Sequence, residues 1–330
     1  MQAWLMDDYK GIGGLRLADA PDPIPQPDEV ILEVHYAALN PADAYLAENQ
    51  YPAKPRLPHI LGRDGVGTVV ARGSAAADVG LGERRAILLC EVGINQPGTF
   101  AQRVAVPTQN LVEIPAGWSE PEAAGATLVY LTAYQALTMW GPLPPSAVVL
   151  VTGASGGVGV AAVQLAAAMG YKVVALSRSA EKSRRLEQLG AAATFNPEDL
   201  KWGQALKNAL EPRRVDLAID NIGGKLLPQV ISTLGDLGRV SLVGRLAGPV
   251  PNFNTATLFF RRNRLGGVAA SAGTNAESHV AWQEILKLLA RAGVRPQVDK
   301  VFPFDQLPQA FERLAQGPMG KVLVTVKPAG

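Results

Sequence analysis

The sequence predicts an α/β protein of two domains, the first rich in β-strands and the second built on a doubly wound parallel sheet. Three observations support this fold class. Short strands separated by turns fill roughly the first 120 residues. An apolar run then enters a glycine-rich turn and a small-residue helix at 148–169. From there, strands and helices alternate to about residue 270, which is typical of a parallel sheet.

The first domain is predicted from alternation with a period of two. Segments 30–36, 67–71 and 98–106 alternate apolar and polar residues, and proline and glycine are frequent between them. This pattern is typical of a barrel-like, β-rich domain. The pattern changes near residue 120, where segment 120–140 carries a mostly small and apolar face that predicts helix.

The second domain is predicted to contain six strands with intervening helices. The strands are expected at 147–152, 172–177, 193–195, 215–220, 238–243 and 265–269, and the helices at 157–169, 180–189, 198–209 and 225–234. Such a succession favours the strand order 3-2-1-4-5-6. A later helix at 277–291, a segment at 311–315 and a strand at 321–326 are expected to return to the first domain. The predicted domains are therefore 1–120 with 271–330, and 121–270.

The glycine-rich turn at 148–159 predicts a dinucleotide-binding site. Glycines at the turn permit a bare backbone, and Gly159 allows the following helix to lie close to the strand. The N–H groups of the first helical turn would then face a pyrophosphate, assisted by the helix dipole. The predicted contacts are Gly153, Ser155, Gly156, Gly157 and Val158. The alternative is an ordinary tight connection between strand and helix.

The end of the second predicted strand of this domain indicates which dinucleotide is bound. NAD-binding sites usually place an acid there to bind the ribose hydroxyls, but this sequence has Ser177 and Arg178, with Lys182 one turn later. A guanidinium suits a phosphate, which a carboxylate would repel. We therefore expect NADPH as the cofactor. Alternatively, Arg178 and Lys182 are solvated charges at a helix start.

Composition excludes several functional classes. The 330 residues carry a net charge of +2 with interspersed signs, so a nucleic-acid partner is not expected. No uninterrupted apolar run approaches the length of a membrane span, and the first residues do not resemble a signal peptide, so a cytoplasmic location is expected. Cys90 is the only cysteine, which excludes an internal disulfide and a zinc site built on cysteines.

Several ordered motifs carry a family resemblance. They are Asn-Pro-Ala-Asp-Ala-Tyr at 40–45, segments 58–67, 131–137 and 151–159, Asp-Asn-Ile-Gly-Gly at 220–224, and segment 320–324. With these motifs the chain resembles zinc-free members of the medium-chain dehydrogenase/reductase superfamily, close to quinone oxidoreductases and enoyl reductases. The resemblance implies a GroES-like catalytic domain, a Rossmann cofactor domain and a homodimer. The predicted last strand at 265–269 would leave an exposed apolar edge that a second copy covers.

The same resemblance argues against a catalytic metal. Zinc enzymes of this superfamily bind the metal through positions that here hold Asn40, Arg63 and a residue near Leu128. The histidines His35, His59 and His279 do not fit as ligands, and Arg63 would repel a dication. Without a Lewis acid, reduction of an already electrophilic conjugated carbonyl is expected rather than alcohol oxidation.

Three residues are expected to face the acceptor. The resemblance places Tyr51 where enoyl reductases carry a catalytic tyrosine and Tyr45 where quinone reductases carry one, and Asn40 is a further polar candidate. Each tyrosine is alternatively a half-buried aromatic with a hydrated hydroxyl, and solvent is an alternative proton source. Further cofactor contacts are expected at Thr132, Asn196, Asn221, Gly244, Arg245 and Lys321.

The expected function is reduction of quinones or α,β-unsaturated carbonyls by NADPH, with a small molecule as electron acceptor. One alternative is an enoyl- or acryloyl-CoA reductase, in which Arg261 and Arg262 would meet the CoA phosphates unless they belong to a solvated turn. Another alternative is a non-catalytic or structural NADPH-binding protein. Quinone and acyl-CoA turnover separate the first two functions, and NADPH binding without oxidation identifies the third.

Overall fold

The computed structural model describes residues 1–89, 91–250 and 253–327. Cys90, on which the exclusion of a disulfide depends, lies outside the described residues. The chain forms two compact units. Met1–Leu128, Gly273–Val280 and the residues from Arg295 onwards form the first, and Val129–Ala272 with Ala281–Val294 form the second. The boundaries expected at residues 120 and 270 stay predictions. In these units, residues 121–128 belong to the first and 281–294 to the second.

The first unit contains most of its strands in the first 113 residues. They are β1 (Gln2–Met6), β2 (Arg16–Asp19), β3 (Glu29–Ala38), β4 (His59–Ile60), β5 (Asp64–Arg72), β6 (Arg84–Ile87), β7 (Arg103–Pro107) and β8 (Leu111–Glu113). Helix α1 (Pro41–Ala47) follows β3 directly, and α2 (Glu120–Ala124) follows β8. The expected helix at 120–140 is interrupted after Ala124, and helix resumes as α3 (Thr127–Thr138).

The second unit contains the predicted alternation of strands and helices. Its elements are β9 (Val148–Val151), α4 (Gly157–Ala168), β10 (Lys172–Leu176), α5 (Ala180–Gln188), β11 (Ala191–Phe195), α6 (Trp202–Leu210), β12 (Val215–Asp220), α7 (Leu226–Thr233), β13 (Leu234–Leu242), α8 (Ala256–Phe259) and β14 (Arg264–Gly267). The strands pair in the order β11-β10-β9-β12-β13-β14, all parallel, which confirms the doubly wound prediction. All four residues of β9 are buried, as expected for a central strand covered on both faces.

The remaining elements lie later in the chain. They are α9 (Asn275–Ala292), β15 (Val298–Pro303), α10 (Leu307–Ala315) and β16 (Lys321–Thr325). Strands β15 and β16 belong to the first unit, where the sheet order is β15-β16-β3-β5-β6-β8 and β7 also pairs with β3. The three-stranded sheet β2-β1-β4 completes this unit. Among the described residues, no helix combines the length and apolar character needed to cross a membrane.

Three strand ends meet in the first unit. Ala38, the last residue of β3, is opposite Asp64 at the start of β5 and opposite Leu323 in β16, two residues after Lys321 at the start of that strand. The Leu39 N–H also donates to the carbonyl of Val322 over 3.0 Å. Residues beside these ends, although distant in sequence, are therefore close in space.

Candidate active site

The glycine turn of the second unit has the backbone geometry that a phosphate-binding loop needs. Gly153 has φ +56°, a left-handed conformation that favours glycine. A Cβ on Gly159 would lie 2.3 Å from the Gly153 carbonyl oxygen and 2.6 Å from Ala154 Cα, so α4 approaches the turn as closely as backbone allows. Gly156 caps α4 without a side-chain hydrogen bond. No side chain therefore competes at the cap with a bound anion.

The remaining predicted turn residues, Ser155, Gly157 and Val158, are half-buried around this helix start. They keep access to solvent next to a fully buried strand. This arrangement suits the pyrophosphate of a dinucleotide, because backbone N–H donors are accessible beside the buried strand β9.

Thr152 and Asp220, to which no role is assigned from the sequence, join the turn to the neighbouring loop. Asp220, the last residue of β12, accepts from the Thr152 hydroxyl over 2.6 Å and from the Gly223 N–H over 3.0 Å. Burial raises the pKa of Asp220, and these hydrogen bonds oppose that effect. The Asn221 amide donates to the Thr152 carbonyl over 2.8 Å. The Asp-Asn pair at 220–221 could have indicated this link from the sequence, because it stands at the end of a buried strand. That strand, β12, lies beside β9, where the strand order of the sheet reverses and where this fold binds ligands.

The loop after β13 approaches the same place. A Cβ on Gly244 would lie 2.7 Å from the Asn221 carbonyl oxygen, so this glycine permits close contact between two loops. Arg245 follows it and is exposed. Asn221, Gly244 and Arg245 thus lie beyond the carboxyl ends of neighbouring strands, while their contact with a cofactor stays a prediction.

A carboxylate lies near Arg178 at the end of β10. Ser177 is buried, and its hydroxyl exchanges hydrogen bonds with the backbone of Ser179 over 3.2 and 3.3 Å. Arg178 is exposed and lies 3.7 Å from a carboxylate oxygen of Glu198. The Asn196 side chain accepts from the Glu198 N–H over 3.0 Å and so holds this acid after β11. An acid from the loop after β11, which is not predicted from the sequence, therefore lies beside Arg178.

Lys182 lies in the first turn of α5, where its N–H donates to the Ser179 hydroxyl over 3.4 Å. Thr132 is half-buried on α3, also within the second unit. Neither position tests the predicted contact with the cofactor.

The first unit holds a buried polar cluster at its three strand ends. The Lys321 ammonium donates to the Leu39 carbonyl over 3.0 Å, to Asn40 Oδ1 over 2.7 Å and to Asp64 Oδ2 over 3.1 Å. Asn40 Nδ2 donates to the same Asp64 oxygen over 2.9 Å. Both ends of the Asn40 amide are therefore engaged within the unit. Lys321 likewise uses three donors internally, so a cofactor contact requires it to exchange one of them.

A second buried ion pair lies next to the first. Arg63 Nε donates to Asp43 Oδ1 over 3.0 Å, and the two side chains are 5% and 0% exposed. Burial raises the pKa of Asp43, and Arg63 opposes this. The other Asp43 oxygen accepts from the Asn40 N–H over 2.9 Å and holds the start of α1. The sequence analysis named Arg63 as a misfit for zinc but missed its partner, three residues after Asn40.

The two predicted tyrosines differ in their surroundings. Tyr51 is half-buried, its ring centroid lies 5.0 Å from the Arg63 guanidinium carbon, and its hydroxyl accepts from Arg63 Nη1 over 3.3 Å. Tyr45 is half-buried on α1, and its catalytic role stays a prediction.

The histidines have local structural partners. His35 Nδ1 lies 3.0 Å from Glu120 and its Nε2 lies 3.1 Å from the Thr68 hydroxyl. His279 Nε2 lies 2.8 Å from the Gln109 carbonyl. Burial lowers the pKa of His59 to about 4, aided by the nearby Arg63 charge and opposed by the Gly93 carbonyl. In the described ranges, no three or more His, Cys, Asp or Glu residues cluster as a metal site would require.

Comparison with known proteins agrees with this geometry. A zinc-binding dehydrogenase family model matches residues 157–291, and an alcohol dehydrogenase GroES-like domain model matches residues 26–116. A quinone oxidoreductase of Lama guanicoe is 29% identical over 331 residues, covering 99% of this chain and 98% of that protein.

Solved structures extend the likeness to the whole chain. An NAD-dependent alcohol dehydrogenase matches with a TM-score of 0.90 and 28% identity, covering 99% of this chain and 100% of that chain. A mycobacterial protein solved in complex with NADPH matches with a TM-score of 0.88 and 25% identity, with the same coverage. The chain belongs to the medium-chain dehydrogenase/reductase superfamily, whose members bind a nicotinamide cofactor, and it is an oxidoreductase that acts on a small molecule.

Proposed function

We propose that this protein is an NADPH-dependent, zinc-independent reductase of quinones or α,β-unsaturated carbonyl compounds. The observation that carries the proposal is the buried cluster of the first unit. Two positions at which zinc enzymes of the superfamily hold the metal carry Asn40, whose amide is paired at both ends, and Arg63, a buried cation. The ammonium of a second buried cation, Lys321, donates a hydrogen bond to Asn40. Each cation is paired with a buried carboxylate, Arg63 with Asp43 and Lys321 with Asp64. These positions therefore offer a dication neither the sulfur nor the imidazole ligands that zinc prefers.

The residues present fit a nicotinamide dinucleotide. The turn at Gly153–Gly159 offers uncapped helix N–H groups for the pyrophosphate, and Asn221 and Gly244 lie at the adjoining strand ends. When bound in its reduced form, this cofactor supplies a hydride to the acceptor. The protein's own task is to hold the acceptor, to donate hydrogen bonds to its oxygen and to supply a proton. Tyr51 and Tyr45 are the proposed donors, and Asn40 is proposed to support them by shaping the cluster.

A quinone or enone suits these donors better than an alcohol. Its carbonyl is already conjugated and electrophilic, so neutral hydroxyl donors suffice where an alcohol would need a Lewis acid for deprotonation. The relative from Lama guanicoe, named a quinone oxidoreductase, supports this acceptor class. The CoA-thioester alternative gains no support, because the Arg261 guanidinium is bonded to the backbone carbonyl of Leu234 over 2.6 Å.

The choice of NADPH rests on Arg178, with Ser177 and Lys182 beside it. A 2′-phosphate would compete with Glu198 for the Arg178 guanidinium, and the existing pair is exposed and therefore weak. A dianionic phosphate is a stronger partner for a guanidinium than a solvated carboxylate. The solved neighbours support both dinucleotides, since one is NAD-dependent and the other is complexed with NADPH.

We further propose a cytoplasmic homodimer. β14 is the last strand of the parallel sheet and pairs only with β13 within the described part of the chain. Phe259 and Phe260, just before it, are 64% and 82% exposed. An open strand edge beside exposed aromatic rings favours symmetric pairing with a second copy. A monomeric mass by light scattering at micromolar concentration would contradict the dimer.

The decisive experiment is an acceptor panel. Purified protein is mixed with NADPH or NADH and a quinone, an enone or crotonyl-CoA, and separately with NADP⁺ or NAD⁺ and a primary alcohol, and absorbance at 340 nm is followed. We expect quinone or enone reduction with NADPH preferred, and no effect of a chelator or of added zinc. Activity confined to alcohols and restored by zinc would overturn the proposal, as would tight cofactor binding without turnover of any acceptor.

A further inference from the structure

Arg63 is a buried cation to which the reductase chemistry above assigns no direct part. Its side chain is 5% exposed, and burial lowers its pKa less than Asp43 and Tyr51 raise it, so the net pKa is raised. Its Nη2 atom is buried without a hydrogen-bond partner in the part of the chain that the structure describes. Removing a guanidinium from water is unfavourable unless its charge is paired and its N–H groups are hydrogen-bonded. A role beyond neutralising one carboxylate would account for a buried guanidinium with one nitrogen unpaired in the described residues.

Two of the three guanidinium nitrogens have a hydrogen-bond partner, and the two partners differ. Nε donates to Asp43, which is completely buried and fixed at its other oxygen by the Asn40 N–H. Nη1 donates to the Tyr51 hydroxyl oxygen over 3.3 Å. The rigid planar fork of arginine transmits the position of one contact to the other. Asp43 therefore fixes the orientation from which Arg63 meets Tyr51.

We propose that Asp43 and Arg63 position Tyr51 as the proton donor and stabilise the charge that it acquires, an inference that rests on the proposed function. Because the Tyr51 oxygen accepts from Arg63, its own O–H points elsewhere and remains available to the acceptor. The acceptor becomes an anion when it takes a hydride from the reduced nicotinamide. The Tyr51 O–H bond then breaks, and the proton passes to this anion. The phenolate faces Nη1 and the unused Nη2 until it regains a proton from water.

In this assignment, the Arg63 guanidinium, held by Asp43, supplies the fixed positive charge that a metal ion would otherwise supply. A fixed positive charge beside the donor stabilises the negative charge that develops in proton transfer and needs no reorganisation. Arg63 is a positioning residue in this arrangement, because it acts through Tyr51. A purely structural pair would neutralise Asp43 and leave the chemistry of Tyr51 unaffected.

A double-mutant cycle tests the inference. Tyr51→Phe, Arg63→Gln and the double variant are assayed with NADPH and 2-cyclohexen-1-one. We expect Tyr51→Phe to lower kcat by about 10²-fold, the scale of general acid catalysis. Arg63→Gln should lower kcat roughly 10- to 100-fold, the range for one charge-assisted hydrogen bond. The double variant should be no slower than Tyr51→Phe, and KM for NADPH should stay unchanged.

A second cycle uses thermal unfolding of the same four proteins without cofactor. If Arg63 holds the hydroxyl, the two single-variant losses in Tm should sum to more than the loss in the double variant. Arg63→Lys retains the charge without the fork and should give an intermediate kcat, which keeps the test available if Arg63→Gln does not fold. Arg313→Gln is the matched control, because Arg313 Nε meets Asp299 over 2.7 Å without a tyrosine contact in the described residues. We expect this control to lower Tm and leave kcat unchanged.

The outcomes separate the two proposals. No reduction of any acceptor by the unmodified protein contradicts the proposed function and with it this inference. Reduction by the unmodified protein, combined with kcat losses that multiply in the double variant or strictly additive Tm losses, contradicts the inference alone. Full activity of Arg63→Gln does the same.

Discussion

The two polar regions of this protein are built from opposite materials. In the second unit, the turn at Gly153–Gly159 consists of backbone and small side chains, and its recognition groups are N–H bonds at a helix start. In the first unit, the cluster consists of buried, charged side chains that bond to one another. The first kind of site is sensitive to added volume, and the second to lost charge. Under the proposed function, a pyrophosphate with dispersed charge would be bound by backbone groups, whereas the localised reacting group would be served by fixed charges.

The largest expected effect comes from volume at the glycine turn. Gly159→Val places a Cβ against the Gly153 carbonyl, 2.3 Å away, so the turn and α4 must separate. We expect complete loss of NADPH binding, measured by cofactor fluorescence. Gly156→Ala is the control, because its Cβ would meet the same carbonyl at 3.5 Å, an ordinary contact, and should leave Tm nearly unchanged. Cofactor binding by Gly159→Val would contradict the sensitivity to added volume by which the glycine turn is distinguished from the charged cluster.

The matching change in the first unit removes a charge. Lys321→Met leaves Asp64, which is 1% exposed, without its cation. Breaking a buried pair on one side costs about 3–5 kcal/mol, and we expect this loss in the free energy of unfolding by urea. Adding Asp64→Asn to Lys321→Met should recover part of the loss. If the double variant is less stable than the single one, the charge account of the cluster is wrong.

We expect low pH to destabilise the first unit through protonation of His59. Its pKa is lowered from the ordinary 6.5 to about 4 by burial, so the unfolded chain binds the proton more readily than the folded protein. The stability that neutral His59 contributes is therefore complete above pH 6.5 and is lost as pH falls towards 4, by up to roughly 3 kcal/mol. Urea unfolding across this range measures the slope. His59→Gln should flatten it, and an unchanged slope in that variant would assign the effect elsewhere.

The smallest effect is expected at the exposed end of β10. Arg178→Ala should weaken NADPH binding by roughly 1–3 kcal/mol and leave NADH nearly unchanged, as measured by titration calorimetry. Glu198→Gln removes the carboxylate 3.7 Å from Arg178 and should strengthen NADPH binding slightly. Equal affinity of the unmodified protein for both cofactors would contradict the NADPH assignment.

The sequence predicted the second unit better than the first for a physical reason. Parallel strands, crossover helices and the glycine turn are local patterns, so the strand order could be inferred from one continuous stretch. The first-unit cluster joins Lys321 to Asn40 and Asp64, which are 281 and 257 positions away, and no local pattern indicates such pairs. Asn40 was predicted as a polar candidate, but its pairing at both ends was not. Glu198 was missed because the acid was sought only after β10, whereas the loop after β11 brings it to Arg178.

The distance in sequence between Lys321 and its partners also orders the events of biosynthesis. The strands of the parallel sheet lie in one stretch between Val148 and Gly267, so that sheet has all its strands once this stretch has left the ribosome. The earlier-translated first unit still lacks β16, which pairs with β3 and carries Lys321. Until β16 has been translated, Asp64 is without its ammonium partner, and the end of β3 is without the strand that pairs with it in the folded chain. The charged cluster can therefore be completed only near the end of synthesis, after the strands of the parallel sheet are all available.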